Sequence, residues 1–133
     1  FKPDIIQLPF NLLDRRILNR KLLKEYGGIE IQVRSIFLQG LLLMNYKNRG
    51  KNNNREILLK FDKWINLQKI KRYQACINFI NNFKFFKTCV IGVNTKSDIC
   101  QFLKAIGDNS KKFPKEILSN NLNLIEPRKW KIN

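Results

Sequence analysis

The chain has 133 residues, of which 44% are apolar and ten are phenylalanine, enough for one domain with a packed core and too apolar for a disordered segment. Its longest apolar run, Ile36–Met44, is broken by Gln39 and Gly40 and falls well short of the roughly 18 residues of a membrane helix. The net charge of +16 is spread from Lys2 to Lys131 among plentiful Asn and Ile, the mark of an AT-rich coding bias more than of a focused phosphate-binding face.

A solvated basic surface is therefore expected, with a basic nucleic-acid-binding domain as the lesser alternative. Phe1-Lys2-Pro3-Asp4 lacks the ordered charged and apolar regions of a signal peptide. These features together predict a soluble, cytoplasmic chain without a membrane partner. Cys76, Cys89 and Cys100 form no C-x-x-C pair and the sequence contains no histidine. Buried free thiols are expected, and no metal site.

Taken in chain order, Asp4-Ile-Ile-Gln-Leu-Pro9 predicts a short strand ended by a proline. Asp14 is placed to cap a helix over Arg15–Tyr26, whose Leu13, Ile17, Leu18, Leu22 and Tyr26 recur at helical spacing and which Gly27-Gly28 would stop. Ile29 to Ser35 alternates strictly, with Ile29, Ile31 and Val33 on one face and Glu30, Gln32 and Arg34 on the other, which predicts a strand. Residues 45–56 are polar and aperiodic and read as a mobile loop.

Helical patterning resumes over Phe61–Leu67 and Lys71–Phe83, and a third strand is predicted over Phe86–Ile91. Thr95 and Asp98 are spaced as a capping box for a helix over Lys96–Ile106, with Gly107 as its stop. From Phe113 a C-terminal extension (113–133) holds one more predicted helix, Lys115–Asn121. Strands alternating with helices imply a parallel sheet with right-handed crossovers. Three such strands leave two sheet edges unpaired, so further strands are expected upstream.

Two strand-to-helix junctions carry the candidate chemistry. Arg34 shares a polar face with Glu30 and Gln32 and ends its strand, where α/β proteins hold ligands. Gly92-Val-Asn-Thr-Lys-Ser runs into a helix whose free amides and dipole favour a phosphate, and Lys96 adds charge. Each feature also has a plainer structural role open to it. Gln7 would satisfy a backbone group, Arg34 would pair with Glu30, Gly92 would simply turn the chain, and Trp64 and Trp130 would pack.

Three ordered segments resemble the aldo-keto reductases. Gln7-Leu-Pro-Phe-Asn-Leu-Leu-Asp14 is similar to that family's sixth-strand motif Q-x-x-Y/F-N-x-L. Val33-Arg-Ser-Ile-Phe-Leu-Gln-Gly-Leu-Leu42 lies where members read A-Y-S-P-L-G-x-G-x-L after the seventh strand. Val90-Ile-Gly-Val-Asn-Thr-Lys-Ser-Asp-Ile-Cys-Gln-Phe-Leu103 is similar to the eighth-strand segment I-x-G-A-S-x-x-x-Q-L-x-E-N. The closing Glu126-Pro-Arg-Lys-Trp130 resembles a tail found in part of the family, some of whose members accompany sugar or surface-polysaccharide synthesis.

The resemblance spans nearly all of residues 1–133. It implies the C-terminal part of an NADP-dependent oxidoreductase: strands six to eight of a (β/α)8 TIM barrel with their helices, the rest of the barrel lying upstream. The complete protein would use NADP(H) to reduce a small-molecule carbonyl substrate, with no metal. Gln7 would hold the nicotinamide amide, and Arg34 stands where an aromatic ring usually stacks on the nicotinamide. Ser35, Phe37, Gln39 and Gly40 would wrap the pyrophosphate. Gly92, Asn94 and Thr95 would meet the 2′-phosphate, with Asp98 and Gln101 at the adenosine end. Asp98 and Phe102 depart from the family pattern.

The family's proton-transfer set of Asp, Tyr, Lys and His belongs to the first half of the barrel. No catalytic residue is assigned here, and the chain alone is expected to be inactive. A non-catalytic half-barrel that binds nucleotide or a partner chain is the alternative.

Overall fold

A computed structural model of the chain describes residues 2–45, 55–106 and 112–130. β1 (Ile5–Pro9) and β2 (Glu30–Arg34) are joined through a 3-10 turn at Arg16–Leu18 and α1 (Arg20–Glu25). Two successive helices, α2 (Arg55–Gln68) and α3 (Arg72–Asn81), lead to β3 (Thr88–Cys89). After it come α4 (Lys96–Ala105), a 3-10 turn at Lys115–Ile117, the single-turn α5 (Leu122–Ile125) and a last 3-10 turn at Pro127–Lys129. Among the described residues the three strands make one parallel sheet in the order β1-β2-β3.

The register explains why this alternation folds as it does. Ile6 pairs with Ile31 and Leu8 with Val33, and Val33 pairs in turn with Cys89. These side chains share one face, where Ile31 and Val33 are buried and Ile6, Leu8 and Cys89 pack against the core. The opposite face carries the pairs Ile5–Glu30, Gln7–Gln32 and Pro9–Arg34, with Thr88 beside Gln32. That face is polar and largely open: Ile5, Gln7, Arg34 and Thr88 are exposed. A period of two residues thus produces a one-sided sheet.

The core beneath the sheet is aromatic. Phe10, fully buried at the end of β1, touches Phe79, Phe83 and Phe86, with ring centroids 5.2, 5.0 and 4.8 Å away. The tail packs into the same layer, where Phe113 meets both Phe79 and Trp64 at 5.2 Å. Trp64 also stacks on Phe61, and the Trp130 indole N–H donates to the Leu124 carbonyl (3.0 Å). Both tryptophans therefore serve packing.

Several sequence expectations are corrected. The helix predicted over Arg15–Tyr26 is broken, because Asp14 is buried and its carboxylate is held by the Arg16 side chain. The chain tightens into the 3-10 turn and starts again at Asn19, whose side chain accepts from the Lys21 amide to cap α1. The third strand has two residues in place of the six predicted, because only Thr88 and Cys89 pair with β2. Lys115–Asn121 is a 3-10 turn followed by extended residues, with α5 beyond it.

The aperiodic stretch 45–56 overran a helix, since Arg55 and Glu56 already belong to α2; residues 46–54, and Gly107, lie outside the described residues. Of the cysteines, Cys76 is buried, Cys89 half-buried and Cys100 exposed, so the buried-thiol expectation fails at Cys100. Among the described residues no helix is long and apolar enough to cross a membrane.

Candidate functional site

The carboxyl ends of β1 and β2 open into a cleft of about 310 Å³. Its walls are the strand ends Pro9 and Arg34, the loop after β2 (Ser35, Leu38, Gln39), Asn11 and Arg16, and the C-terminal stretch Ile125–Arg128. A larger cavity, about 410 Å³, lies at the other end of β3 between Lys84, Lys87, Cys89 and Ile106. It holds none of the residues expected from the sequence to bind a cofactor, whereas the strand-end cleft gathers Arg34, Ser35 and Gln39.

The loop after β2 is strained and anchored. Ser35, Leu38 and Gln39 adopt left-handed backbone at φ 58°, 48° and 52°, and Gly40 follows at 83°. For an L-residue this conformation costs roughly 1–2 kcal/mol. The anchors are apolar: Ile36, Phe37, Leu38, Leu41 and Leu42 are all buried. Phe37 packs on Phe102 of α4 (5.1 Å between centroids). Of the predicted pyrophosphate loop, then, Ser35 and Gln39 line the cleft, Gly40 adjoins them and the Phe37 side chain faces the core.

Asn11, which sequence reasoning left without a role, braces this loop. Its side-chain oxygen accepts from the Leu13 and Asp14 amides (3.0 and 2.9 Å), and its amide donates to the Ser35 carbonyl (3.2 Å). The Asn-Leu-Leu-Asp spacing was a usable signal for such a turn. Arg16 was missed because its helical periodicity concealed it. Its guanidinium bonds Asp14 and, across 110 residues, Glu126, each at 2.9 Å. The Arg16 bond holds the Glu126 carboxyl below the usual carboxylate range.

Arg34 is exposed and donates to the Ser35 hydroxyl (3.2 Å). The carboxylate of Glu30 accepts from Gln32 (3.0 Å), and Arg34 is not drawn into an ion pair with it. Gln7 lies on the open polar face in register with Gln32, one pleat back from the cleft-lining Pro9.

The second junction is built separately. Thr95 caps α4 through the Asp98 amide (3.2 Å), and the Asp98 carboxylate accepts from the Thr95 and Asn94 amides (2.9 and 3.2 Å). Those bonds hold the Asp98 carboxyl below its ordinary range and occupy the Asn94 and Thr95 amides. Gly92 has an ordinary negative-side φ and open space where a Cβ would stand, so neither conformation nor crowding demands glycine there. Gln101 turns to the Ser97 hydroxyl (2.9 Å). None of Gly92, Asn94, Thr95, Asp98 and Gln101 lines the strand-end cleft.

No model of a known protein family matches the chain, and no curated protein is similar enough to match it.

Proposed function

We propose that the chain is the C-terminal part of an NADP-dependent oxidoreductase of the aldo-keto-reductase kind, contributing strands six to eight of a (β/α)8 barrel. The observation that carries this reading is the cleft at the carboxyl ends of adjacent parallel strands, lined by Arg34, Ser35 and Gln39. Barrel and doubly wound proteins bind their ligands at that end. The sequential order β1-β2-β3 is the order in which barrel strands pair. The open polar face with Gln7 and Gln32 has the character of a barrel interior, and the exposed Val90, Val93, Ile99, Leu103 and Ile106, which follow β3 in the chain, offer apolar surface for further structure.

In this reading Gln7 and Arg34 meet the nicotinamide, Ser35, Gln39 and the backbone of Phe37 and Gly40 meet the pyrophosphate, and the Gly92–Gln101 junction meets the adenosine end. Hydride transfer to a carbonyl also needs a proton donor. Neither Tyr26 nor Tyr73 lines the cleft, Tyr46 lies outside the described residues, and the sequence holds no histidine. That observation favours, as a second reading, a nucleotide- or partner-binding half-barrel without catalysis of its own.

The reading frame upstream of Phe1 tests the choice. An in-frame segment encoding five further strands with Asp, Tyr, Lys and His is expected, and the joined protein should oxidise NADPH when given an aldehyde. A start codon immediately before Phe1, or turnover by the isolated chain, overturns the first reading.

A further inference from the structure

The cavity of about 410 Å³ at the amino end of β3 shares no residue with the cleft at the strands' carboxyl ends. Its volume is that of a small-molecule pocket. Three of its walls are anchored in the core: Ile80 is buried, and the Phe83 and Phe86 rings pack on Phe10 with centroids 5.0 and 4.8 Å away. The apolar walls are thus fixed from behind.

One polar group in the wall lacks a partner. Asn81, the last residue of α3, lines the cavity, and its Nδ2 is buried with no acceptor among the described residues. Folded proteins leave few such donors unpaired, and a ligand oxygen would satisfy this one. Asn78 Oδ1, one turn earlier on α3, is also unpaired, but Asn78 does not line the cavity.

The charge at the mouth has one sign. Lys84 and Lys87 are exposed there, and no carboxylate lines the cavity among the described residues. Burial pushes the Cys89 thiol up to about 11, so it is neutral at pH 7 and opposes no anion. The carboxyl ends of α3 and α4 reach the cavity through Asn81 and Ile106, each with about half a negative charge. Two lysines outweigh that.

We propose that this cavity binds a small aromatic carboxylate, its ring against Phe83, Phe86 and Ile106 and its carboxylate accepting from Asn81 Nδ2 between Lys84 and Lys87. An aromatic body follows from the two phenylalanine rings, which take a third ring edge-on or offset. Thr88, at the start of β3, adds a hydroxyl that can donate to the same group. The site goes beyond the oxidoreductase reading and does not depend on it, because it lies at the opposite end of the strands.

Calorimetric titration of the full chain with phenylacetate tests this. Saturable binding at low ionic strength is expected, together with a higher melting temperature in the ligand's presence. Iodoacetamide should then alkylate Cys89, which lines the cavity, more slowly and the exposed Cys100 at an unchanged rate. Affinity should fall about tenfold in the double variant Lys84→Gln, Lys87→Gln and in Asn81→Ala, as loss of a charge-assisted hydrogen bond implies. Neutral phenylacetamide should bind more weakly by at least the same factor.

Asn81 Nδ2 has no bond to lose, so Asn81→Ala should keep the parent chain's melting temperature. A lower one would show that the amide already has a structural partner, and overturns the site. So does absence of saturation, equal affinity for phenylacetamide, or binding that leaves Cys89 labelling unchanged.

Discussion

Glu126 Oε1 lies 2.9 Å from Arg16 Nη1, and the same guanidinium binds the buried carboxylate of Asp14 at 2.9 Å. One side chain thus ties the turn after β1 to a segment 110 residues later and closes one wall of the cleft. The Ser119 amide, donating to the Leu13 carbonyl (2.9 Å), and Arg15, donating to the Pro114 carbonyl (3.0 Å), make the same crossing nearby.

This attachment is pH-dependent with a defined sign. The Glu126 carboxyl is depressed by its hydrogen bond to Arg16. Its contribution is therefore complete above the ordinary carboxylate range and is lost as pH falls through the lowered value. Trp130 fluorescence in a Trp64→Phe background should report release of the tail on acidification. In Glu126→Gln that transition should vanish; an unchanged transition would mean that another group holds the tail.

Asn11→Ala should be costly for so small a truncation. It strips acceptors from two buried amides and one of two donors from the Ser35 carbonyl, which keeps the Leu38 amide (2.9 Å); leaving the two amides unpaired costs about 2–4 kcal/mol in total. Urea unfolding measures this. A loss near zero would show that the loop after β2 keeps its shape without the brace.

Lys69→Gly should stabilise the chain. Lys69 follows α2 at φ 52°, its amide donating to the Asn66 carbonyl and that of Ile70 to Ile65. This is a Schellman ending, in which glycine is preferred at the left-handed position. Relief of the Cβ clash is worth roughly 1 kcal/mol, readable as a higher melting temperature. A lower one would refute the assignment of strain.

The three thiols should separate by reactivity. Cys100 is exposed, burial pushes the Cys89 thiol up to about 11, and burial raises that of Cys76 further still. Since the thiolate is the nucleophile, iodoacetamide at neutral pH should label Cys100 first, Cys89 slowly, and Cys76 only on unfolding, as peptide mass spectrometry would show. Early labelling of Cys76 would contradict its place in the core.

Elements with strong local signals were readable in advance. The alternation of Ile29 to Arg34 specified β2 and its faces, because a period of two forces one side chain set inward. Thr95 and Asp98 specified the start of α4, because a capping box is closed by residues three apart. α1 was misjudged because Asp14 had a stronger partner in Arg16 than in the helix amides. β3 was overextended because apolar residues from Phe86 onward serve the aromatic core as well as the sheet.

The amino-acid sequence by itself determined the alternation of strands and helices, the polar and apolar faces of β2, and the capped start of α4. Those features follow from contacts a few residues apart, which spacing encodes. Arg34 was marked by its place at the end of a strand, Ser35 and Gln39 by the family resemblance alone. Only the tertiary structure decided that Arg16 and Glu126 meet, that Asn11 braces Ser35 and that Arg128 faces the same cleft as Arg34. Those contacts join distant stretches of chain through packing of the core between them, and no local period records where such packing will bring two side chains.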